Sequence, residues 1–128
     1  MKGFKILIVD DDEALSVIIQ QLLNREGYET RCAHSTPEAY RQFLKFRPGL
    51  VISDLHMPEE DGIELMRRIR RIADVRTIYM SGDLGRFDDK LKAEREKYPI
   101  AFIEKPFVRG DLLCLVTEME KSLDSHVD

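Results

Sequence analysis

Phe4-Lys5-Ile6-Leu7-Ile8-Val9-Asp10-Asp11-Asp12 (FKILIVDDD) is an almost unbroken apolar run that stops abruptly at carboxylates. Such a run reads as a strand buried on both faces, the signature of a parallel sheet covered by helices. The pattern recurs along the chain. Leu50–Ser53 stops at Asp54, Thr77–Met80 at Ser81-Gly82, and Ile100–Ile103 at Glu104-Lys105-Pro106-Phe107. Tyr28–Ala33 is more polar and reads as an edge strand.

Amphipathic segments separate these strands. Leu15, Ile18, Ile19, Leu22 and Leu23 share one helical face, and Gly27 is the stop. Ser35-Thr36-Pro37-Glu38 combines a capping-box pattern with an early proline, so a helix opens there. It runs to about Phe46 with Ala39, Phe43 and Leu44 inward, and Pro48-Gly49 breaks it. Met57–Gly62 is a loop, and Ile63, Met66 and Ile69 mark a third helix. Arg86–Tyr98 is a charged helix with Phe87, Leu91 and Tyr98 as its inward candidates. Asp111–Leu123 is the last, with Leu112, Val116 and Met119 facing in. Five strand–helix units in succession specify an α/β fold, a parallel sheet with helices on both faces and right-handed crossovers.

The 128 residues suffice for one domain. The 20 basic against 24 acidic side chains give a net charge of −4, which disfavours nucleic acid or an anionic membrane as partner. Arg67, Arg68, Arg70 and Arg71 accordingly read as a solvated helix face. Cys32 and Cys114 lack metal spacing and read as small buried hydrophobes. Neither a signal peptide nor a membrane span is recognisable, so a cytoplasmic location is expected.

In a parallel sheet every strand points its carboxyl end to the same edge, where ligands bind. That edge gathers Asp10, Asp11 and Asp12 from strand one, Asp54 from strand three, Ser81 from strand four and Lys105 after strand five. A lone Asp at a strand end is usually a helix cap, and Asp12 reads so. Carboxylates brought together repel and raise one another's pKa values, which a hard divalent cation such as Mg²⁺ resolves. Carboxylates, cation, ammonium and hydroxyl together suit phosphoryl transfer, and a carboxylate can itself be the nucleophile.

These blocks resemble the receiver domain of two-component response regulators. The resemblance rests on Ile6–Asp11, Asp54-Leu55-His56-Met57-Pro58…Asp61-Gly62, Met80-Ser81-Gly82 and Lys105-Pro106-Phe107, in family order over nearly the whole chain. It implies a flavodoxin-like (βα)5 doubly wound sheet of order 2-1-3-4-5. A receiver domain would span 1–123, with 124–128 a frayed tail. Asp54 would accept a phosphoryl group from a phosphohistidine on a sensor kinase or a histidine phosphotransfer protein. Asp11, Asp54 and the backbone carbonyl of His56 would hold Mg²⁺, with Mn²⁺ able to substitute, and Asp10 would help through a water. Lys105 and Ser81 would contact the phosphoryl oxygens. Phe102 matches the family's switch aromatic, and Met57-Pro58 and Gly62 would shape the loop over the site. His56 and Asp83 occupy positions that tune hydrolysis of the acyl phosphate. Such a protein promotes its own phosphorylation and slow dephosphorylation without being a turnover enzyme. The resemblance also implies a downstream protein partner and allows a homodimer on phosphorylation.

The interval from Ser81 to Lys105 is longer than the family usually shows, and the fourth helix is unusually charged. Two rival readings remain. Asp10-x-Asp12 after an apolar strand also resembles the nucleophile motif of haloacid-dehalogenase-type phosphatases, but that reading leaves the Asp54 block unexplained. A receiver that binds partners without phosphorylation is the other.

Overall fold

The computed structural model describes residues 5–125, the side chains at 84, 86, 88 and 122–125 excepted. The elements alternate as β1 (Ile6–Val9), α1 (Glu13–Arg25), β2 (Thr30–Ala33), α2 (Thr36–Phe46), β3 (Leu50–Asp54), α3 (Gly62–Arg70), β4 (Arg76–Ser81), α4 (Asp88–Lys97), β5 (Ile100–Glu104) and α5 (Arg109–Ser125). A 3₁₀ turn at Leu84–Phe87 leads into α4. All strand pairs are parallel and the order is β2-β1-β3-β4-β5, the flavodoxin-like order expected.

Alternation along the strands builds two cores. Leu7, Val9, Val51 and Tyr79 face α2, α3 and α4, where Phe43, Ile63, Met66, Ile69 and Leu91 meet them. Ile6, Ile8, Ile52, Ile78 and Met80 face α1 and α5, where Ile19, Leu23, Leu112 and Val116 meet them. All four residues of β1 are fully buried, which is why that strand shows no polar alternation.

The caps follow the sequence. Asp12 caps α1 by accepting from Leu15 N–H, and Gly27 closes the turn after it at φ 94. Ser35 accepts from Glu38 N–H at α2, while Glu38 reaches past the cap to His34 N–H. Arg47, in the left-handed conformation, ends α2 one residue before Pro48.

Several boundaries and faces differ from expectation. The expected first residue of strand one, Phe4, lies outside the described residues, as do 126–128 of the expected tail. β2 begins at Thr30, because Tyr28 belongs to the turn after α1 and packs its ring inward with the hydroxyl on Glu120. Ile18 and Leu44 are exposed. Each lies beside its helix's apolar stripe, which Leu15, Ile19, Leu22 and Leu23, and Ala39, Phe43 and Phe46, already fill. Cys32 is half-buried on the edge strand and Cys114 is exposed on α5, so neither thiol is a core residue. The last helix starts at Arg109 and continues through Ser125, past the expected boundary at 123.

Candidate functional site

β1 and β3 are neighbours in the sheet and β5 lies one strand further on, beyond β4; Asp10 after β1, Asp54 at the end of β3 and Lys105 after β5 form one cluster. Asp10 is fully buried at the end of β1, Asp54 is nearly so as the last residue of β3, and Asp11 is exposed beside them. Oxygen atoms of these three carboxylates lie within 4.8 Å of one another. Lys105 reaches in from beyond β5 and donates from Nζ to Asp10 Oδ2 at 2.8 Å and Asp54 Oδ2 at 3.0 Å. The remaining oxygens are also engaged: Asp10 Oδ1 accepts from Asp12 N–H at 2.9 Å and Asp54 Oδ1 from His56 N–H at 3.1 Å. Asp12 faces its own helix as a cap, as its sequence position suggests.

Burial works against the Lys105 ammonium, but the hydrogen bonds and charges of Asp10 and Asp54 outweigh it and hold its pKa above the usual lysine value. Asp10 is also held above the usual carboxylate value. Its burial dominates and the Asp54 charge adds, against the opposing pull of Lys105 and Asp12 N–H. One ammonium against three carboxylates leaves two negative charges, in a donor set made only of oxygen. That set fits a hard divalent cation, Mg²⁺ or Mn²⁺.

The loop over the cluster depends on one glycine. A Cβ at Gly62 would stand 2.6 Å from the carbonyl oxygen of Asp54 and 3.0 Å from Ser53 Oγ. Gly62 N–H also donates to Leu55 O at 3.1 Å. The absence of a side chain therefore lets α3 start against the backbone of β3. Asp61 caps α3 through Glu64 N–H and takes Lys90 of α4 at 2.9 Å. Met57 is buried beneath this loop and Pro58 is exposed on it.

Ser81 is fully buried, and its Oγ accepts from Asp83 N–H at 2.9 Å, within its own turn. The turn is pinned to the lysine segment because Lys105 N–H donates to Ser81 O at 2.8 Å. In the β4–β5 register Tyr79 pairs with Phe102 and Ser81 with Glu104. Phe102 is therefore the diagonal neighbour of Ser81 on the same sheet face. It is half-buried, with the Arg95 guanidinium 5.5 Å from its ring centroid. His56 is exposed and meets Phe87 edge to face at 5.1 Å. Asp83 is exposed in the turn after β4. A cavity of about 540 Å³ bounded by His56, Met57, Asp61, Phe87 and Lys90 lies beside the cluster.

Two residues of consequence were not singled out from the sequence. Arg70, grouped there with a solvated run, has a side chain only 3% exposed and forms an ion pair with Glu94, itself 6% exposed. The signal for Glu94 was present in its spacing. Phe87, Leu91, Glu94 and Tyr98 follow the i, i+4, i+7, i+11 stripe that points inward on a helix.

The residues 6–117 match the model of the response regulator receiver domain. Among curated proteins, the chain is 34% identical over 127 residues to the DNA-binding transcriptional regulator NtrC of Azospirillum brasilense, covering 98% of this chain and 25% of that protein. It is 34% identical over 110 residues to sporulation initiation phosphotransferase F of Bacillus subtilis, covering 84% of this chain and 86% of that protein. The chain thus spans about a quarter of the NtrC relative and most of the Bacillus one. A CheY-like receiver from Methanospirillum hungatei superposes with a TM-score of 0.85 at 25% identity, covering 95% of this chain and 97% of that one. A receiver from Clostridium thermocellum gives 0.77 at 28% identity, covering 94% and 96%. Among the described residues no helix is long and apolar enough to cross a membrane. Sequence blocks, strand order, acidic cluster and these likenesses agree: the chain belongs to the family of response regulator receiver domains, the modules of two-component systems that sensor kinases or phosphotransfer proteins phosphorylate.

Proposed function

We propose that Asp54 is the phosphoacceptor of a cation-dependent receiver in the cytoplasm. The observation that carries this reading is the Lys105 ammonium bridging Asp10 and Asp54 within a cluster of three carboxylates. An Asp54 carboxylate oxygen attacks phosphorus, and the P–N bond of the donor phosphohistidine breaks with its electron pair left on the imidazole. Asp54 then carries an acyl phosphate. Asp10, Asp11 and Asp54, with the His56 carbonyl, would hold Mg²⁺ or Mn²⁺. The cation supplies charge neutralisation at the transferring group. Lys105 supplies the second positive charge, and its two present hydrogen bonds already aim it at the acceptor. His56 and Asp83 flank the opening and govern how water reaches the acyl phosphate.

The phosphoryl group brings about −1.5 to −2 charges and three strong acceptor oxygens. Ser81 Oγ exchanges its contact with Asp83 N–H for one of those oxygens, and Phe102 moves along its sheet face into the space beside Ser81. The face formed by α4, β5 and α5 changes with it, and a downstream protein, or a second copy of the chain, reads that change. The Asp10 side chain is fully buried while Asp54 keeps 9% of its own exposed, so Asp54 is the better presented of the two as a nucleophile, which favours it over the phosphatase reading.

Intact mass after incubation with acetyl phosphate and Mg²⁺ tests this. One phosphoryl adduct is expected, absent with EDTA and absent in Asp54→Asn. An adduct that survives Asp54→Asn overturns the assignment. No adduct together with no binding of beryllofluoride and Mg²⁺ makes the chain a phosphorylation-independent binding module.

A further inference from the structure

Among the described side chains of helix α4, one apolar residue and one charged residue are buried. Its inward residues are Leu91 and Glu94, with Phe87 in the turn before it and Tyr98 just after. Glu94 Oε1 takes two side-chain partners. It pairs with Arg70 Nη1 of α3 and accepts from Tyr79 Oη of β4 at 2.9 Å. Arg70 Nη2 donates to Thr77 Oγ1 at 2.8 Å, and the guanidinium lies 4.1 Å from the centroid of the Tyr98 ring. Tyr79 and Thr77 are fully buried. Burial, with the Glu94 charge adding, holds the Tyr79 phenol far above its usual pKa despite the opposing Arg70 charge, so it remains a neutral donor. Arg70 Nε, buried, has no hydrogen-bond partner, so the clasp is not fully satisfied.

The clasp sits directly against the moving parts proposed above. Thr77, Tyr79 and Ser81 share one face of β4, and Tyr79 is the register partner of Phe102 on β5. Consecutive residues of α4 hold the two members of that rung: Glu94 binds the Tyr79 hydroxyl and Arg95 covers the Phe102 ring. A shift of Phe102 towards Ser81 would take its ring away from the Arg95 guanidinium. The position of α4 and the rotamer of Phe102 are thereby tied together.

We infer that the Arg70–Glu94–Tyr79 clasp holds α4 and Phe102 in the resting arrangement, making Glu94 and Arg70 positioning residues that set the equilibrium of the phosphorylation switch. The inference rests on the reading of Asp54 as phosphoacceptor. A clasp present equally in both states would change stability and leave the equilibrium untouched. A clasp specific to the resting state opposes activation, and its removal raises the affinity for an activating ligand.

The test is the affinity for beryllofluoride with Mg²⁺, paired with amide hydrogen exchange across Asp88–Lys97, in wild type, Glu94→Gln and the apolar replacement Arg70→Met/Glu94→Leu. Tighter beryllofluoride binding by about tenfold is expected in Glu94→Gln, within the ordinary range of coupling between sites. Faster exchange across α4 in the ligand-free state should accompany it. The double variant removes both charges without stranding either, so it decides the matter if Glu94→Gln does not fold. Affinity equal to wild type in the folded variants overturns the clasp as a switch element and leaves the site reading intact. Failure of wild type to bind beryllofluoride overturns the site reading, and the clasp's role with it.

Discussion

Two buried charge clusters share the β4 neighbourhood, and they are built to opposite specifications. At the carboxyl edge, one lysine faces three carboxylates, and Lys105 keeps 22% of its side chain exposed. Between α3 and α4, one arginine faces one glutamate, and Arg70 keeps 3%. The first cluster is left negative and open, the second neutral and closed by Tyr79, Thr77 and Tyr98. Unbalanced negative charge near solvent suits a cation. Balanced charge away from solvent can only hold its elements together or release them.

Substitutions should separate the two clusters by what they damage. The largest effect is on chemistry: Asp54→Asn is expected to lose phosphoryl acceptance completely while remaining folded, read by intact mass and circular dichroism. Next is Arg70→Met, which strands Glu94 in the interior and should cost about 3–5 kcal/mol in urea unfolding. The pair Arg70→Met/Glu94→Leu should recover most of that loss. A small cost for Arg70→Met alone would mean that the clasp is no more than a surface pair. Gly62→Ala joins both concerns, because its Cβ would press on the Asp54 carbonyl at 2.6 Å. Unless the loop gives way, about 1–3 kcal/mol of stability is expected to go, and the phosphorylation rate should fall with it.

The smallest effect concerns the Asp61–Lys90 link. Burial alone would raise the Asp61 carboxyl, but Lys90 and the Glu64 and Ile63 N–H groups hold it below its usual range. Its contribution is therefore present above the unfolded carboxylate pKa and lost as pH falls through the lower folded value. Lys90→Met should weaken this acid dependence by less than about 1 kcal/mol, as befits a pair with an exposed lysine. Unfolding curves collected from neutral to acid pH would show it, and identical acid limbs would remove Lys90 from the cause.

The two clusters also differ in how far the chain discloses them. Asp10, Asp54 and Lys105 stand at the ends of apolar runs, so strand periodicity alone brings them to one edge. The doubly wound architecture follows from the same runs, whereas the strand order came through the resemblance. Arg70 and Glu94 are single charges among many on two polar helices, and no local pattern distinguishes a buried arginine from a solvated one. Only the helical stripe through Leu91 and Tyr98 marks Glu94, and its partner lies on another element. Ile18 and Leu44 illustrate the same limit in reverse, since apolar character does not reveal that a neighbouring stripe already fills the core. The cap at Asp12 and the stop at Gly27 were legible because their causes are local.

Chemical trapping of the phosphorylated chain tests the central assignment most directly. Borohydride reduces an acyl phosphate to the alcohol, so the acceptor aspartate becomes homoserine. After incubation with acetyl phosphate and Mg²⁺, reduction and peptide sequencing should find homoserine at position 54 and at no other. Homoserine at position 10 or 11 would contradict the assignment, and at position 10 it would return the chain to the Asp10-nucleophile chemistry that the full burial of the Asp10 side chain argues against.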